Sequence, residues 1–445
     1  MTGVERDEMV AAAQARRDHD RLRAMQAELD ALRWHVAALE RSPSRRLFGP
    51  ARHVLRAVQR LLRHDGPVAS SAACQMPAGR GLALVIDNEW PRPDRDSGSM
   101  DIVTLMGCLR RLGFKAILAA AKQHEGDQPA RDHLERQGIR CLTPADAPSV
   151  TQFIAEKGTA LGLCVLCRVY CGGEFLELAQ RHCRGARLVF NSIDLNYVRE
   201  ERRARLHDDE ALLGMIEQLR AREEHIVRSC DSTMVVSRAE ADLLAQTVPE
   251  ALTASMPLAR EIQTPATPFA GRRRIGFIGG FAHAPNLDAV GYLLAEIWPL
   301  VRRVLPGCTL EIVGAGAPDN LAEGCDDVRV LGHLPDVGPW FESLRLTVAP
   351  LRFGAGAKGK VASSLAAGVP CVATSVATEG MSLTEEAGVL VADNPTAFAA
   401  ALARAYTDEP MWERLSAGAL AYAGRVLSPD AWEKRLDVML WRIGV

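Results

Sequence analysis

The 445-residue chain lacks an uninterrupted run of 18 apolar residues, so we expect no membrane-spanning helix. It also lacks an excess of one charge sign, because 53 Lys and Arg oppose 55 Asp and Glu and leave a formal net charge of −2. A nucleic-acid partner held by a basic field over the whole surface is therefore not expected. Aromatic residues are only 5%, whereas 48% apolar and 24% charged residues are typical of a globular protein.

The sequence also lacks the marks of a secreted protein. The first eight residues, Met-Thr-Gly-Val-Glu-Arg-Asp-Glu, are too charged for a secretory signal. Eleven cysteines, an odd number spread over both halves of the chain, do not form a disulfide framework and fit reduced thiols. We therefore expect a cytoplasmic protein.

Residues 1–64 contain almost no Gly or Pro and are predicted to be helical. Within 22–39 apolar residues recur at alternating spacings of three and four: Leu22, Met25, Leu29, Leu32, Val36 and Leu39. This heptad pattern favours a short coiled coil that makes a homodimer. The alternative is a single amphipathic helix that lies on its own domain.

A second helical segment, 45–64, is basic and amphipathic. It carries no acid and six arginines, Arg45, Arg46, Arg52, Arg56, Arg60 and Arg63. Such a helix suits an anionic membrane surface, and the protein is then peripheral on the inner face of the membrane. The alternative is a solvated basic face packed on the protein. Residues 65–80, rich in Gly, Pro, Ser and Ala, are predicted to be a linker.

From residue 81 onward, short apolar runs alternate with helical patterns, which indicates parallel sheets with crossover helices. We predict an α/β protein with two doubly wound, Rossmann-like domains that face a cleft. The first spans 81–255, a proline-bearing linker spans 256–273, the second domain spans 274–429, and 430–445 form a last helix. Predicted strands are Leu82–Asp87, Lys115–Ala119, Leu161–Leu166, Arg187–Ser192, Thr233–Val236, Arg274–Ile278, Leu310–Val313, Val328–Leu331, Leu346–Pro350 and Pro370–Ala373.

A glycine-rich stretch after Pro350 is the strongest local signal. Gly354, Gly356 and Gly359 free the backbone to approach a ligand, and a helix is predicted to start near Lys358. The amides and positive dipole of a helix start favour an anion such as a diphosphate. The alternative is a glycine-rich surface loop with solvated lysines.

Two further strand–loop–helix junctions have similar character. One is Gly279-Gly-Phe-Ala-His283-Ala-Pro-Asn286, where Asn286 is the predicted N-cap. The other is Asp94-Arg-Asp96-Ser97-Gly98-Ser99, where Asp96 is either an N-cap or a site residue. Three phosphate-competent junctions in one chain point to a phosphate-bearing ligand.

These residues resemble family-4 glycosyltransferases of the GT-B fold, in the subgroup with a Gly-Ala-Gly-x-Lys loop. The second half carries the resemblance in Gly276 to Asn286, Glu311-Ile-Val-Gly314, Gly332-His-Leu-Pro-Asp336, Val348 to Val361, Ala367 to Thr374 and Thr378-Glu379-Gly380. The first half is similar to the acceptor domain of the same enzymes, in Pro91 to Ser99 and Asp194 to Glu200.

The resemblance implies transfer of a sugar, of the hexosyl type, from a nucleotide diphosphate sugar with retention at the anomeric carbon. It implies a role in surface polysaccharide or glycolipid synthesis, with a polysaccharide or lipid-linked acceptor. The resemblance implies no metal in this fold. It implies no other cofactor either, and the nucleotide sugar acts as a co-substrate. The implied catalytic residues are Lys358, Asp194 and His283. The residues implied to bind the donor are Gly279, Gly280, Asn286, Arg352, Gly354, Gly356, Lys360, Ser363 and Glu379. The residues implied on the acceptor side are Asp96, Ser97 and Gly98.

Three positions depart from the family pattern. Ala355 and Ser363 stand where most members have two glutamates that grip the donor, and Asn196 stands where a histidine is expected. An asparagine forms hydrogen bonds but transfers no proton. These departures favour a second hypothesis, a non-catalytic GT-B protein that binds a nucleotide or assembles other transferases. A third, a nucleotide-sugar epimerase, needs acid–base groups that the sequence offers sparingly.

Two other chemistries have less support. Cys164-x-x-Cys167-x-x-x-Cys171 has a spacing that suits zinc, but Cys164 falls in an apolar strand where a thiol acts as a small hydrophobe. The sequence has no Gly-x-Ser-x-Gly elbow, so a serine hydrolase of that type is not predicted.

Overall fold

The computed structural model describes residues 80–122, 127–206, 210–354 and 356–445. The predicted coiled coil at 22–39, the basic helix at 45–64 and all but the last residue of the 65–80 linker lie outside these ranges. Residue 355 lies outside them as well. The described residues all belong to one compact unit, Pro77–Val445.

The described chain builds two parallel sheets, as the sequence predicts. The strands are β1 Leu82–Asp87, β2 Lys115–Ala120, β3 Arg140–Cys141, β4 Leu161–Cys167, β5 Arg187–Asn191, β6 Ser232–Val235, β7 Thr253–Ser255, β8 Arg274–Ile278, β9 Thr309–Val313, β10 Val328–Gly332, β11 Leu344–Ala349, β12 Cys371–Ala373 and β13 Val389–Val391. The first sheet has the order β3-β2-β1-β4-β5-β6-β7 and the second β10-β9-β8-β11-β12-β13. Every pairing in both sheets is parallel.

Helices cover both faces of the sheets, because each parallel strand needs a crossover to the next. They are α1 Ser97–Arg111, α2 Gln128–Arg136, α3 Val150–Lys157, α4 Val169–His182, α5 Asn196–Leu206, α6 Glu210–Ser229, α7 Arg238–Thr247, α8 Ala284–Tyr292, α9 Trp298–Val304, α10 Gly338–Ser343, α11 Gly359–Ala366, α12 Ser375–Thr378, α13 Pro395–Thr407, α14 Glu409–Val426 and α15 Pro429–Arg442. A π-helical turn, Leu293–Ile297, joins α8 to α9. Pro299, two residues after this turn, has no amide hydrogen for a regular helix.

Three strands were not predicted from the sequence. They are β3, β7 and β13, with two, three and three residues, and each lies at the edge of its sheet. An edge strand pairs on one side only and is often short, so its apolar pattern is too brief to be distinctive.

The last helix, α15, belongs to the core of the first sheet although it follows the second domain in sequence. Trp432, Leu436 and Leu440 are buried there with Leu105 and Leu109 of α1. The chain therefore returns to the first domain at its end and ties the two domains together.

Each sheet has a topological switch point, at which the strand order reverses direction. In each sheet the first strand, β1 or β8, lies in the middle and the chain continues on both sides of it. Ligands of such sheets bind in the crevice outside the carboxyl ends of the strands at this point. The turns that follow β1, β8 and β11 are the three junctions singled out in the sequence.

Candidate active site

The turn between β11 and α11 is built by glycines. Gly354 and Gly356 have φ values of +143° and +65°, which side chains disfavour. A helix does start near Lys358, as predicted: Lys358 takes the N-cap position of α11, and its ammonium group donates to the carbonyl of Gly356. Only 7% of Lys358 is exposed. Burial lowers the pKa of Lys358 to about 8, partly offset by the nearby carboxylates of Glu379 and Glu240.

A second lysine reaches the turn after β8. Nζ of Lys360 donates to Oδ1 of Asn286 at 2.7 Å, and Nδ2 of Asn286 donates to the carbonyl of Gly280 at 2.7 Å. Burial, and next the charge of Lys358, lower the pKa of Lys360 to about 7. The two turns of the second domain are thus joined by a buried amide and a buried ammonium group.

The prediction that Asn286 caps α8 is wrong. The helix begins at Ala284, so His283 is the N-cap and Asn286 lies in the first turn. Pro285 fixes the first turn and lets the helix start earlier than the Asn position suggested. The His283 side chain is exposed, and its pKa is lowered by the surrounding protein atoms and then by Arg199 and Lys360.

The start of α1 faces the start of α11 across the cleft. Asp96 caps α1 by accepting from the amide of Ser99 at 2.9 Å and from its hydroxyl at 2.6 Å. A Cβ atom on Gly359 would lie 2.4 Å from Oγ of Ser97. The two helix N-termini therefore approach each other closely, and both direct positive dipole ends toward the space between the domains.

Gly98 lies under a strained arginine. A Cβ on Gly98 would lie 3.1 Å from Nη2 of Arg168, whose backbone φ is +65°. Arg168 donates from Nε to the buried carboxylate of Asp87 at 2.8 Å. The pair joins the carboxyl ends of β1 and β4, which is the switch point of the first sheet.

Asp194 follows β5 and lies beside the turn after β11. A Cβ on Gly356 would come within 3.3 Å of Cβ of Asp194. The Asp194 carboxylate accepts from Arg199, which also donates to the side chains of Asn196 and Glu200. The acceptor-side carboxylate is thus neutralised within its own domain.

Two buried glutamates hold this segment in place. Glu240 accepts from the amide of Leu195 at 3.0 Å, and Glu223 accepts from the amides of Asn196 and Tyr197 at 3.0 and 2.9 Å. Burial raises the pKa of both carboxyl groups to about 7. Three consecutive amides are therefore fixed by carboxylates from two other helices, α6 and α7.

Arg202 of α5 crosses from the first domain to the second. Its Nη1 donates to the carbonyl of Gly354 at 2.7 Å, and its Nη2 donates to Oε1 of Glu379 at 2.7 Å. A second crossing joins Nε2 of His333 and Oδ2 of Asp94, which are 3.2 Å apart.

Arg260, in the interdomain connection, makes a third crossing. It contacts Oδ1 of Asp101 at 3.2 Å, donates to Oγ of Ser363 at 3.1 Å and also donates to the hydroxyl of Ser97. Burial raises the pKa of Asp101 to about 6, against the lowering effect of Arg260. The guanidinium of Arg260 thus connects α1 with α11 near their N-termini.

The structure brings together most of the predicted site residues but gives two of them other partners. Arg352 pairs with Asp288 at 3.0 Å and lies over the ring of Tyr292 on the surface. Ser363 accepts from Arg260, and Asn196 is bound to Glu223 and Arg199. The third departure from the family pattern, Ala355, lies outside the described residues.

Sequence reasoning missed four residues at this site, namely Arg202, Arg260, Glu223 and Glu240. A signal existed for Glu240, because Ser237-Arg-Ala-Glu240 has the spacing of a capping box and Ser237 does cap α7. The others make contacts between distant parts of the chain that no local pattern marks.

The cysteine motif lies in the interior of the first domain. Cys164, Cys167 and Cys171 are buried free thiols, and burial raises the pKa of Cys167 and Cys171. Across the ranges that the structure describes, no group of three His, Cys, Asp or Glu is placed to hold a metal.

The cleft gathers groups whose chemistry favours an anion. Lys358 and Lys360 stand at the start of α11, and the start of α1 faces them. Amide donors, helix dipoles and two ammonium groups at one place stabilise a negatively charged ligand or leaving group.

Comparison with known proteins gives a family match within the second domain. Residues 272–408 match the family model described as "Glycosyl transferases group 1". The match covers most of the second domain and none of the first. A comparison with curated proteins finds no match.

Solved glycosyltransferase structures share the fold over both domains. Sucrose-phosphate synthase from Thermosynechococcus elongatus is 15% identical with a TM-score of 0.64, over 82% of this chain and 99% of that one. TarM from S. aureus, in complex with UDP and other ligands, is 9% identical with a TM-score of 0.62, over 82% and 100%. HepE from Anabaena, in complex with UDP-glucose, is 13% identical with a TM-score of 0.61, over 81% and 100%. The predicted GT-B fold is therefore confirmed.

Proposed function

We propose that the protein is a retaining glycosyltransferase that transfers a sugar, of the hexosyl type, from a nucleotide diphosphate sugar to an acceptor. The observation that carries the proposal is the pair Lys358 and Lys360 at the start of α11, in a domain that matches the group 1 family. Two solved relatives in the same fold hold UDP or UDP-glucose, which is consistent with such a donor.

In this mechanism the donor diphosphate lies at the start of α11, beside the start of α1. Lys358 and Lys360 stabilise the negative charge that develops as the bond from the anomeric carbon to the phosphate oxygen breaks. The departing phosphate accepts the proton of the acceptor hydroxyl, whose oxygen forms the new bond to the anomeric carbon on the same face. We propose no metal for this step, because the two lysines and the amides supply the positive charge.

The acceptor side is formed by the first domain. Asp96, Ser97 and Gly98 border the cleft at the start of α1, and Asp194 faces Gly356 across it. We propose a role in surface polysaccharide or glycolipid synthesis, with the acceptor carried on a lipid or a polysaccharide. No described helix is long and apolar enough to cross a bilayer.

The first experiment is a panel of nucleotide sugars incubated with the purified protein. We expect one donor to stabilise the protein thermally and to be hydrolysed slowly, and Lys358→Ala to lose both effects. With an acceptor present, NMR of the product reports its anomeric configuration. An inverted product would refute retention, and absence of binding by every donor would refute the donor site.

A non-catalytic binding protein is the second candidate, favoured by one observation. The side chain of Asn196 is held by Glu223 and Arg199, so it is not free to turn toward a reaction centre. Donor binding without turnover, with the acceptor present, would support this candidate.

Location and assembly are also proposals. We propose that 45–64 attach the cytoplasmic protein to an anionic membrane surface and that 22–39 form a homodimer. Sedimentation with anionic and with neutral vesicles tests the first, with Arg56→Glu/Arg60→Glu as the variant that should lose binding. Light scattering of Leu29→Glu tests the second, since a charge in the seam should give monomers.

A further inference from the structure

A cavity of about 520 Å³ lies next to the proposed donor site, where the two domains and their connection meet. Val236 and Ser255 of the first domain, Leu258 of the connection, and Met381 and Tyr422 of the second domain line it. Its volume is in the range of small-molecule sites. Its lining includes none of the residues assigned above to the cleft.

The charged residues that line the cavity are mostly cations. They are Arg238, Arg425 and Arg435, against the single carboxylate of Glu386. The lining therefore carries an excess of two positive charges, in a protein whose net charge is close to zero.

Two of these guanidinium groups have no carboxylate partner in the part of the chain that the structure describes. Arg435 is half-buried and donates from Nη1 to the carbonyl of Val426 at 2.9 Å. Arg425 forms no ion pair there, and Arg238 approaches Asp242 only to 3.9 Å on the surface. Burial lowers the pKa of Arg435. A half-buried cation without a counter-ion is costly, and an anionic ligand removes that cost.

The walls of the cavity are held in place. The Tyr422 hydroxyl donates to the carbonyl of Met381 at 2.7 Å. Gly380, at φ +72°, lies so close to the first domain that a Cβ would be 2.4 Å from Cβ of Ser237. Ser382 has a φ of +51°, a conformation that costs energy and persists where the surroundings fix it.

The cavity also has an apolar part, formed by Leu258, Met381 and Val426 among others. An inorganic ion would leave most of the space unfilled. A ligand with an apolar body and one doubly charged group would match both the volume and the charge.

We propose that this cavity binds a small organic phosphate monoester, a dianion, through the guanidinium groups of Arg425 and Arg435. Guanidinium groups form bidentate, charge-assisted hydrogen bonds to phosphate, and Arg238 adds a third cation at the rim. The ligand would contact Ala357, the neighbour of Lys358, and residues of both domains, so it would hold the domains in the closed arrangement.

The test is a calorimetric titration of the full chain with phenyl phosphate, with inorganic phosphate as the probe that lacks an apolar body. The variants are Arg425→Gln and Arg435→Gln. The matched control is Arg303→Gln, because Arg303 is an exposed arginine that does not line the cavity. Lys358→Ala separates this cavity from the proposed donor site.

We expect phenyl phosphate to bind more tightly than inorganic phosphate, and its Kd to rise at least tenfold in Arg425→Gln and Arg435→Gln. Arg303→Gln and Lys358→Ala should keep the Kd within twofold. Arg425 is exposed, so its variant stays informative even where Arg435→Gln does not fold. The proposal is overturned if phenyl phosphate does not bind the unchanged protein, or if it binds Arg425→Gln equally well. It is also overturned if Lys358→Ala loses the binding, because that result would place the phosphate at the donor site instead.

Discussion

The guanidinium of Arg202 and the carboxylate of Glu379 meet across the cleft, with Nη2 and Oε1 2.7 Å apart. The first belongs to α5 of the first domain and the second follows α12 of the second domain. Because Nη1 of Arg202 also donates to the carbonyl of Gly354, one side chain connects the two domains at the turn that carries Lys358.

Arg202→Gln should loosen this closure without unfolding the protein. Both partners are about one-third exposed, so solvent screening limits the effect on the free energy of unfolding to about 1 kcal/mol or less. Small-angle scattering of the ligand-free protein should show a larger radius of gyration. Arg205→Gln, a neighbour on α5 whose partner Glu201 is on the same helix, is the control and should change nothing. An unchanged radius in Arg202→Gln would contradict the prediction.

Gly359→Ala should open the cleft by steric contact alone. Its Cβ would lie 2.4 Å from Oγ of Ser97 and 3.0 Å from Nη2 of Arg260, so the starts of α1 and α11 must separate. We expect donor affinity to fall by about tenfold, which corresponds to roughly 1.4 kcal/mol. Gly359→Ala/Ser97→Gly should recover much of that loss, because the second change removes the contacting atoms. Gly291→Ala, where a Cβ meets nothing within 4 Å, is the control.

Binding of a nucleoside diphosphate should weaken as the pH rises through 8. The pKa of Lys358 is lowered by burial to about 8, so above that pH the neutral amine replaces the ammonium that attracts the diphosphate. Lys358→Gln should bind weakly at pH 7 and lose this step in the pH profile of Kd, measured by calorimetry. A step at pH 8 that persists in Lys358→Gln would assign it to another group.

The same pKa has a consequence for stability. Between pH 8 and 10.5 the unfolded chain keeps the Lys358 proton that the folded chain has released. The contribution of Lys358 to the free energy of unfolding therefore increases with pH in this interval. Comparing denaturant unfolding of the unchanged protein and Lys358→Gln at pH 7.5 and 9.5 measures it.

Asp101→Asn should be strongly destabilising. Asp101 and Arg260 form an ion pair whose side chains are 9% and 2% exposed, and removal of one partner of a buried pair costs about 3–5 kcal/mol. Denaturant unfolding measures the change, and Asp319→Asn, an exposed aspartate on the second domain, is the control. A decrease of less than about 1 kcal/mol in the free energy of unfolding would show that the hydrogen bonds to Ser97 and Ser363 suffice to hold Arg260.

Much of the fold was predictable because its signals are local. Apolar runs mark the long central strands, such as β1 and β8, since strands buried on both faces need apolar residues throughout. The glycines of the turn after β11 are also a local signal, because φ values such as +65° at Gly356 select glycine. The short edge strands β3 and β7 were missed because two or three residues contain too little pattern.

The sequence by itself determined the two parallel sheets, the three strand–loop–helix junctions and the helix that starts near Lys358, because backbone geometry and strand burial restrict residue choice over a few neighbouring positions. Only the tertiary structure decided that Arg202 reaches Glu379, that Arg260 joins Ser97 to Ser363, and that Asn196 faces Glu223. The first two of these contacts join residues more than 100 positions apart, and the third joins α5 to α6. They depend on how the two sheets, and the helices on them, pack against each other, and no short stretch of sequence encodes that packing.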